Sequence, residues 1–125
     1  MTLPYGTTVL EHFRRPRNQR ALDRPTATHE GFNPLCGDRV RIEIDVADSV
    51  IRDAAFTANA CAICTASASL LTERVRGERV DDARRLSDDD ILAALGGQVP
   101  AGRVLCALLP AQALREALAE SRPPA

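Results

Sequence analysis

Arg39-Val40-Arg41-Ile42-Glu43-Ile44-Asp45-Val46 alternates without a break, with Val40, Ile42, Ile44 and Val46 on one face and Arg39, Arg41, Glu43 and Asp45 on the other. Successive side chains point to opposite sides of a strand, so the pattern specifies a strand with one face in a core and the other in water. The Ala47-Asp48-Ser49 that follows has turn composition, and Val50 to Phe56 is a second strand-like run. Together they predict an antiparallel hairpin. Upstream, residues 25 to 31 form a weaker first strand that leads into Asn33-Pro34-Leu35-Cys36-Gly37-Asp38, a run of turn formers.

After Asn59 the period changes: Cys61, Cys64, Ala68, Leu71 and Val75 recur at three- and four-residue steps, a helix whose apolar face carries two cysteines. Gly77 ends it, Val80 to Leu86 forms a short helix, and Ser87 with Asp90 makes a capping box for another through Leu95, stopped by Gly96-Gly97. Residues 98 to 103 form a loop, and a last helix uses Leu109, Ala113, Leu114, Ala117 and Leu118, with Pro110 in its first turn. At the other end Thr7 or Thr8 caps a helix with a Val9, Leu10, Phe13 stripe, ended by Pro16. Strands first and helices later predict an α+β sandwich. The expectation is one domain over 1–125, with flexible ends at the first few residues and at 121–125.

A chain of 125 residues holds one core and no second module. Its 16 basic residues, all arginine, balance 17 acidic ones. That balance removes the general case for a nucleic-acid or membrane partner, and the lack of lysine removes Schiff-base chemistry. No leader pattern and no bilayer-length apolar run is present, so the chain reads as cytoplasmic. In a reducing compartment Cys36, Cys61, Cys64 and Cys106 are ligands or reactive thiols before they are disulfides.

Their positions suit thiolate chemistry. Cys36 lies in a glycine-containing turn before a strand, Cys61 at a helix start and Cys106 at a loop-to-helix junction. Aligned peptide dipoles favour a thiolate at a helix start, so lowered pKa values are expected for Cys61 and Cys106. Asp38 adds a hard oxygen donor within reach of the same centre. A mixed Cys/Asp site is less tightly closed than all-thiolate structural zinc, which suits a site that releases what it holds. Cys61-x-x-Cys64 alone is weak: thioredoxin-like chemistry needs a βαβ setting and a zinc ribbon needs a second pair, and the chain has neither. For each cysteine the competing reading is a small apolar core residue.

The chain resembles the U-type iron-sulfur cluster scaffold family (IscU, SufU and the NifU N-terminal domain) over about residues 4 to 120. The matching pieces stand in order: His12-Phe13-Arg14-Arg15-Pro16-Arg17-Asn18 is similar to the family's H-[FY]-x-x-P-R-N, and Cys36-Gly37-Asp38 to its first ligand loop. Ala60-Cys61 with Ala66-Ser67-Ala68-Ser69-Leu70 matches the second, and Val104-Leu105-Cys106-Ala107-Leu108-Leu109 the third. The resemblance implies a two-layer sandwich with a three-stranded antiparallel sheet and helices on one face. It implies that iron, and persulfide sulfur from a PLP-dependent cysteine desulfurase, are assembled into a transient [2Fe-2S] cluster and passed to apo iron-sulfur proteins. Cys36, Cys61 and Cys106 are then the thiolate ligands, with sulfur acceptance on Cys106. Asp38 is the ligand that keeps the site exchangeable and lets the cluster go. Zinc in the same site is the form used by a sulfur-transfer relative.

The chain departs from the family at three places. Leu105 stands where one branch has His and another Lys before the third cysteine. A chaperone-recognition stretch, L-P-P-V-K, is represented only by Val99-Pro100-Ala101-Gly102-Arg103. Cys64 stands where the family has a small non-thiol residue; it either fills the helix face or serves as an extra metal or relay thiolate. Three functions follow: an iron-sulfur scaffold or carrier rather than a conventional enzyme, a zinc-dependent sulfur-transfer protein, and a zinc-stabilised interaction module. His12 is read as a packing or partner residue, His29 as exposed, Asp88-Asp89-Asp90 as helix-start acids, and Arg14 to Arg20 as a protein-docking loop. Ser67 and Ser69, with no histidine or acid nearby in sequence, are not read as nucleophiles.

Overall fold

The sheet is an uninterrupted meander in the order β1-β2-β3, seen in a computed structural model that describes residues 6–97 and 99–120. Both ends expected to be flexible lie outside the described residues. The elements are α1 (Thr7–Arg14), β1 (Ala27–Asn33), β2 (Asp38–Ala47), β3 (Val50–Asn59), α2 (Ala62–Val75), α3 (Val80–Arg84), α4 (Asp88–Ala94), a 3₁₀ turn (Ala101–Arg103) and α5 (Val104–Glu120). This is the α+β sandwich the sequence predicts, with α2 and α5 packed on the sheet and α1 packed on α2.

The core face of the alternating stretch behaves as read, but on the face expected in water Glu43 is buried, covered by the chain at Leu22. Val40, Ile42 and Ile44 are buried in register opposite Ala58, Phe56 and Ala54 of β3. β2 and β3 are joined by a two-residue turn in which Asp48 (φ 55°) and Ser49 (φ 63°) are both left-handed, the backbone that matches the twist of the flanking strands. A register shift at Asp45/Val46 follows, which brings Ile51 opposite Val46 and into the core. The first strand starts two residues later than expected, although Thr26 N–H already donates to Ile44 C=O at 2.8 Å. At Gly31 a Cβ would lie 3.0 Å from Leu109 Cδ1; the missing side chain is what lets α5 settle against this strand.

The connection from α1 to β1 leaves along β3, where Asn18 C=O accepts from Phe56 N–H (2.9 Å). It then reaches the outward-facing Glu43, whose Oε1 accepts Leu22 N–H at 2.8 Å. Arg20 grips Asp53 with two bonds of 2.8 and 3.0 Å. The basic loop is thereby tied to the sheet.

Three local expectations change. Gly6, not a threonine, is the N-cap of α1, and no side chain caps it. The last helix begins at Val104, so Pro110 lies inside it rather than in its first turn. Lacking an N–H, Pro110 cannot donate to the carbonyl of Cys106 four residues earlier. α2 is buried on more than one side, with Thr65, Ser67, Ser69 and Thr72 among its buried residues. Its small side chains are the signature of a helix enclosed by α1, α5 and the sheet. Among the described residues no helix is long and apolar enough to cross a membrane.

Candidate metal centre

Three chain segments converge where β2 begins. The turn between β1 and β2 is closed by Gly37 N–H on Asn33 C=O (2.8 Å) and by Leu35 N–H on Asn33 Oδ1 (3.0 Å). Gly37 takes φ 78°, a conformation glycine adopts without steric cost. Cys36 is presented at the surface of this turn and Asp38 is buried as the first residue of β2. Asp38 Oδ1 accepts the backbone N–H of Cys61 at 3.1 Å, which pins the N-cap residue of α2 to the start of β2. Ser67 Oγ donates to Ala107 C=O at 2.6 Å, which fixes α5 beside α2 and sets Cys106 over the same spot.

Cys36 Sγ and Cys106 Sγ are 3.5 Å apart, and these sulfurs with a carboxylate oxygen of Asp38 lie within 4.8 Å of one another. Among the described residues this is where His, Cys, Asp and Glu donors gather as a possible metal site. The Cys61 sulfur, expected among the ligands, is outside this group; it is the backbone N–H of Cys61 that meets Asp38. Cys64 is fully buried one turn into α2. His12 and His29 are elsewhere, on α1 and β1, and Asp88-Asp89-Asp90 form the first turn of α4, where Asp90 completes the capping box with Ser87.

The expectation of lowered thiol pKa values is overturned. Burial pushes Cys61 up, and Asp38 beside it acts in the same direction. The N–H groups of Cys64 and Ile63 favour its thiolate as a helix start should, but they are outweighed. Cys106 is pushed up to about 12, first by burial, then by Cys36, Cys61 and Asp38, with only the Arg103 side chain opposing. It is the third residue of its helix, not the cap. Cys64 is also raised, by burial and then by Asp38 and the other three thiols. Four thiols and a carboxylate thus crowd one region, and a cation there would invert the balance and favour the charged forms.

The donor set fits such a cation. Asp38 Oδ2 is buried with no hydrogen-bond partner, an arrangement that costs about 1–3 kcal/mol or more for a charged group left unsatisfied. Two thiolates select soft or borderline metals such as iron and zinc, and the carboxylate loosens the site relative to an all-sulfur cage.

One expected result follows from the raised thiols. Because Cys61 and Cys106 are protonated at neutral pH in the metal-free chain, zinc must displace protons. Affinity should therefore rise about tenfold per pH unit for each thiol that ionises on binding. Chelator-competition titrations between about pH 6.5 and 8.5 check this, with proton release in weak buffer as a second readout. Affinity flat across that range would contradict it.

Two residues were missed in the sequence. Arg103 supplies a polar neighbour to Cys106, a role the exposed Leu105 cannot fill. Ser69 has a histidine after all, with His12 Nδ1 at 2.8 Å. That hydroxyl also accepts Arg17 N–H at 2.8 Å, and it is fully buried, so the pair is a structural latch and no nucleophile. No sequence signal links positions 57 residues apart.

The family model described as NifU-like N terminal domain matches residues 4–122. The chain is 34% identical to the Archaeoglobus fulgidus protein named iron-sulfur cluster assembly scaffold protein IscU 1, over 93% of this chain and 75% of that one. It is 33% identical to the Rickettsia prowazekii iron-sulfur cluster assembly scaffold protein IscU, over 94% and 92% of the two chains. The crystal structure of a nitrogen-fixing NifU-like protein (N-terminal) from Brucella abortus superposes with a TM-score of 0.77 over 93% of this chain and 92% of that one. At 23% identity that likeness is one of fold.

Proposed function

The chain belongs to the NifU-like N-terminal domain family, the U-type scaffolds, and from that premise we propose that it is an iron-sulfur cluster assembly scaffold. One observation carries the reading: the Cys36, Asp38 and Cys106 donors converge within 4.8 Å of one another, and the same Asp38 carboxylate has a buried oxygen with no hydrogen-bond partner. Iron and sulfur are cargo here. Cys36, Cys61 and Cys106 would hold them as thiolates, and Asp38 would complete the site as its exchangeable member.

The residues divide the work by stiffness and access. Cys106 and Cys61 stand on helices locked to each other and to β2; they keep the cargo in place and, once loaded, away from water. Cys36 stands on an exposed turn, the side from which sulfur arrives and the finished cluster leaves. Persulfide sulfur would come from a PLP-dependent cysteine desulfurase and be accepted on Cys106, and the recipients would be apo iron-sulfur proteins. Cys64 fits best as core: its thiol is fully buried in α2, whereas Cys61 at the head of that helix is only half-buried. A cytoplasmic setting and a single working domain belong to the same proposal.

Anaerobic reconstitution with ferrous iron, cysteine and a cysteine desulfurase tests the reading. A labile species with the visible absorption of a [2Fe-2S] cluster, transferable to an apo-ferredoxin, is expected. Tight stoichiometric zinc with stimulation of the desulfurase and no cluster would assign zinc-dependent sulfur transfer instead. Zinc without either activity would leave an interaction module.

A further inference from the structure

We propose that Cys36 and Cys106 are an oxidisable dithiol, converted by a hydroperoxide to a disulfide that removes two donors of the metal centre at once. Their sulfurs are already 3.5 Å apart, and a disulfide bond of about 2.05 Å needs them to close by only about 1.5 Å. The compliance for that movement is on one side. Cys36 is exposed on a four-residue turn whose Gly37 has open space where a Cβ would stand. Cys106 is held on α5, buried, next to the Ser67–Ala107 tie.

Access sets the order of events. Cys36, exposed, meets the peroxide first: its sulfur takes the terminal oxygen, the O–O bond breaks, and a sulfenic acid and an alcohol (water, for hydrogen peroxide) result. The sulfur of Cys106 then attacks that of Cys36. The S–S bond forms, the S–O bond breaks, and the Cys106 proton leaves with the hydroxide as water. Two thiols have lost two electrons and two protons, and one peroxide has been reduced.

The other pair in the neighbourhood is less suited. Cys64 is fully buried, and the Cys61 thiol is engaged by the N–H groups of Cys64 and Ile63 at its own helix start. The dithiol needs only the two sulfurs. Its consequence, that oxidation and cargo binding exclude each other, rests on the scaffold reading.

Trypsin separates the possibilities because every basic residue is arginine and cleavage places Cys36 in peptide 21–39, Cys106 in 104–115, and both Cys61 and Cys64 in 53–74. The experiment treats metal-stripped protein with one equivalent of hydrogen peroxide, blocks remaining thiols, and maps the unreduced digest of the monomer. The expected result is peptide 21–39 joined to 104–115, retained in Cys64→Ser and lost in Cys36→Ser. Four blocked thiols, a disulfide internal to 53–74, or a dimer joined through Cys36 would overturn the proposal. With zinc(II) free at ten times its dissociation constant, the linked peptide should fall about tenfold. If the link forms in the metal-free protein but zinc fails to bind, the dithiol stands and the scaffold reading falls; if zinc binds and does not protect, the exclusion is wrong.

Discussion

Replacing Cys106 with serine is expected to abolish cluster reconstitution and weaken zinc binding by at least about a hundredfold. Changes to groups that merely orient a metal's ligands cost about 10–100-fold, and this one removes a ligand whose sulfur stands within 4.8 Å of both Cys36 Sγ and the Asp38 carboxylate. A serine hydroxyl will not ionise in a site that already drives a thiol up to about 12. Sulfur to oxygen at a buried helical position changes little volume, so the thermal midpoint should move by only a few degrees. Chelator competition and visible absorption read the binding; circular dichroism reads the fold. Zinc affinity within threefold of the parent would place the third thiolate elsewhere, with Cys64 the first residue to examine.

The second large effect is on stability alone. Ser69→Ala should cost about 2–4 kcal/mol, because Ser69 Oγ serves two partners at once, His12 Nδ1 and Arg17 N–H, each at 2.8 Å. Truncation leaves His12 Nδ1 without that bond in a buried setting and Arg17 N–H in a partly buried one, at about 1–3 kcal/mol each. For a chain of this size that is a fall of roughly ten degrees in the thermal midpoint. Zinc affinity should stay put, since Ser69 lies two turns along α2 from the cap residue Cys61. Combining Ser69→Ala with His12→Ala should recover a coupling of about 1 kcal/mol. A loss below about 0.5 kcal/mol would mean that α1 is held by its apolar contacts and the latch is incidental.

Much of this architecture is written in local pattern. The alternation of residues 39–46 and the change of period after Asn59 place two strands and a helix, and Ser87 with Asp90 marks a helix start that the structure reproduces bond for bond. The candidate donors Cys36, Asp38 and Cys106, which the structure brings together, were readable for another reason: they are chemically rare side chains in turn or helix-start contexts. What escaped was whatever depends on distant neighbours. Lowered thiol pKa values follow from helix-start dipoles taken alone, and burial beside Asp38 reverses them. The partners of Ser69 lie 57 and 52 residues away. The burial of α2 on more than one side shows in the sequence only as small residues, which read equally well as a one-sided stripe.

That enclosure also has a kinetic meaning. Elements buried over most of their surface tend to open only with the whole molecule, whereas exposed turns open locally and often. The centre spans both regimes: Cys61 heads the most enclosed helix and Cys36 rides on a surface turn. If the centre is loaded and emptied through Cys36, exchange is expected to follow the local opening of the turn at residues 34–37 rather than the global stability of the fold.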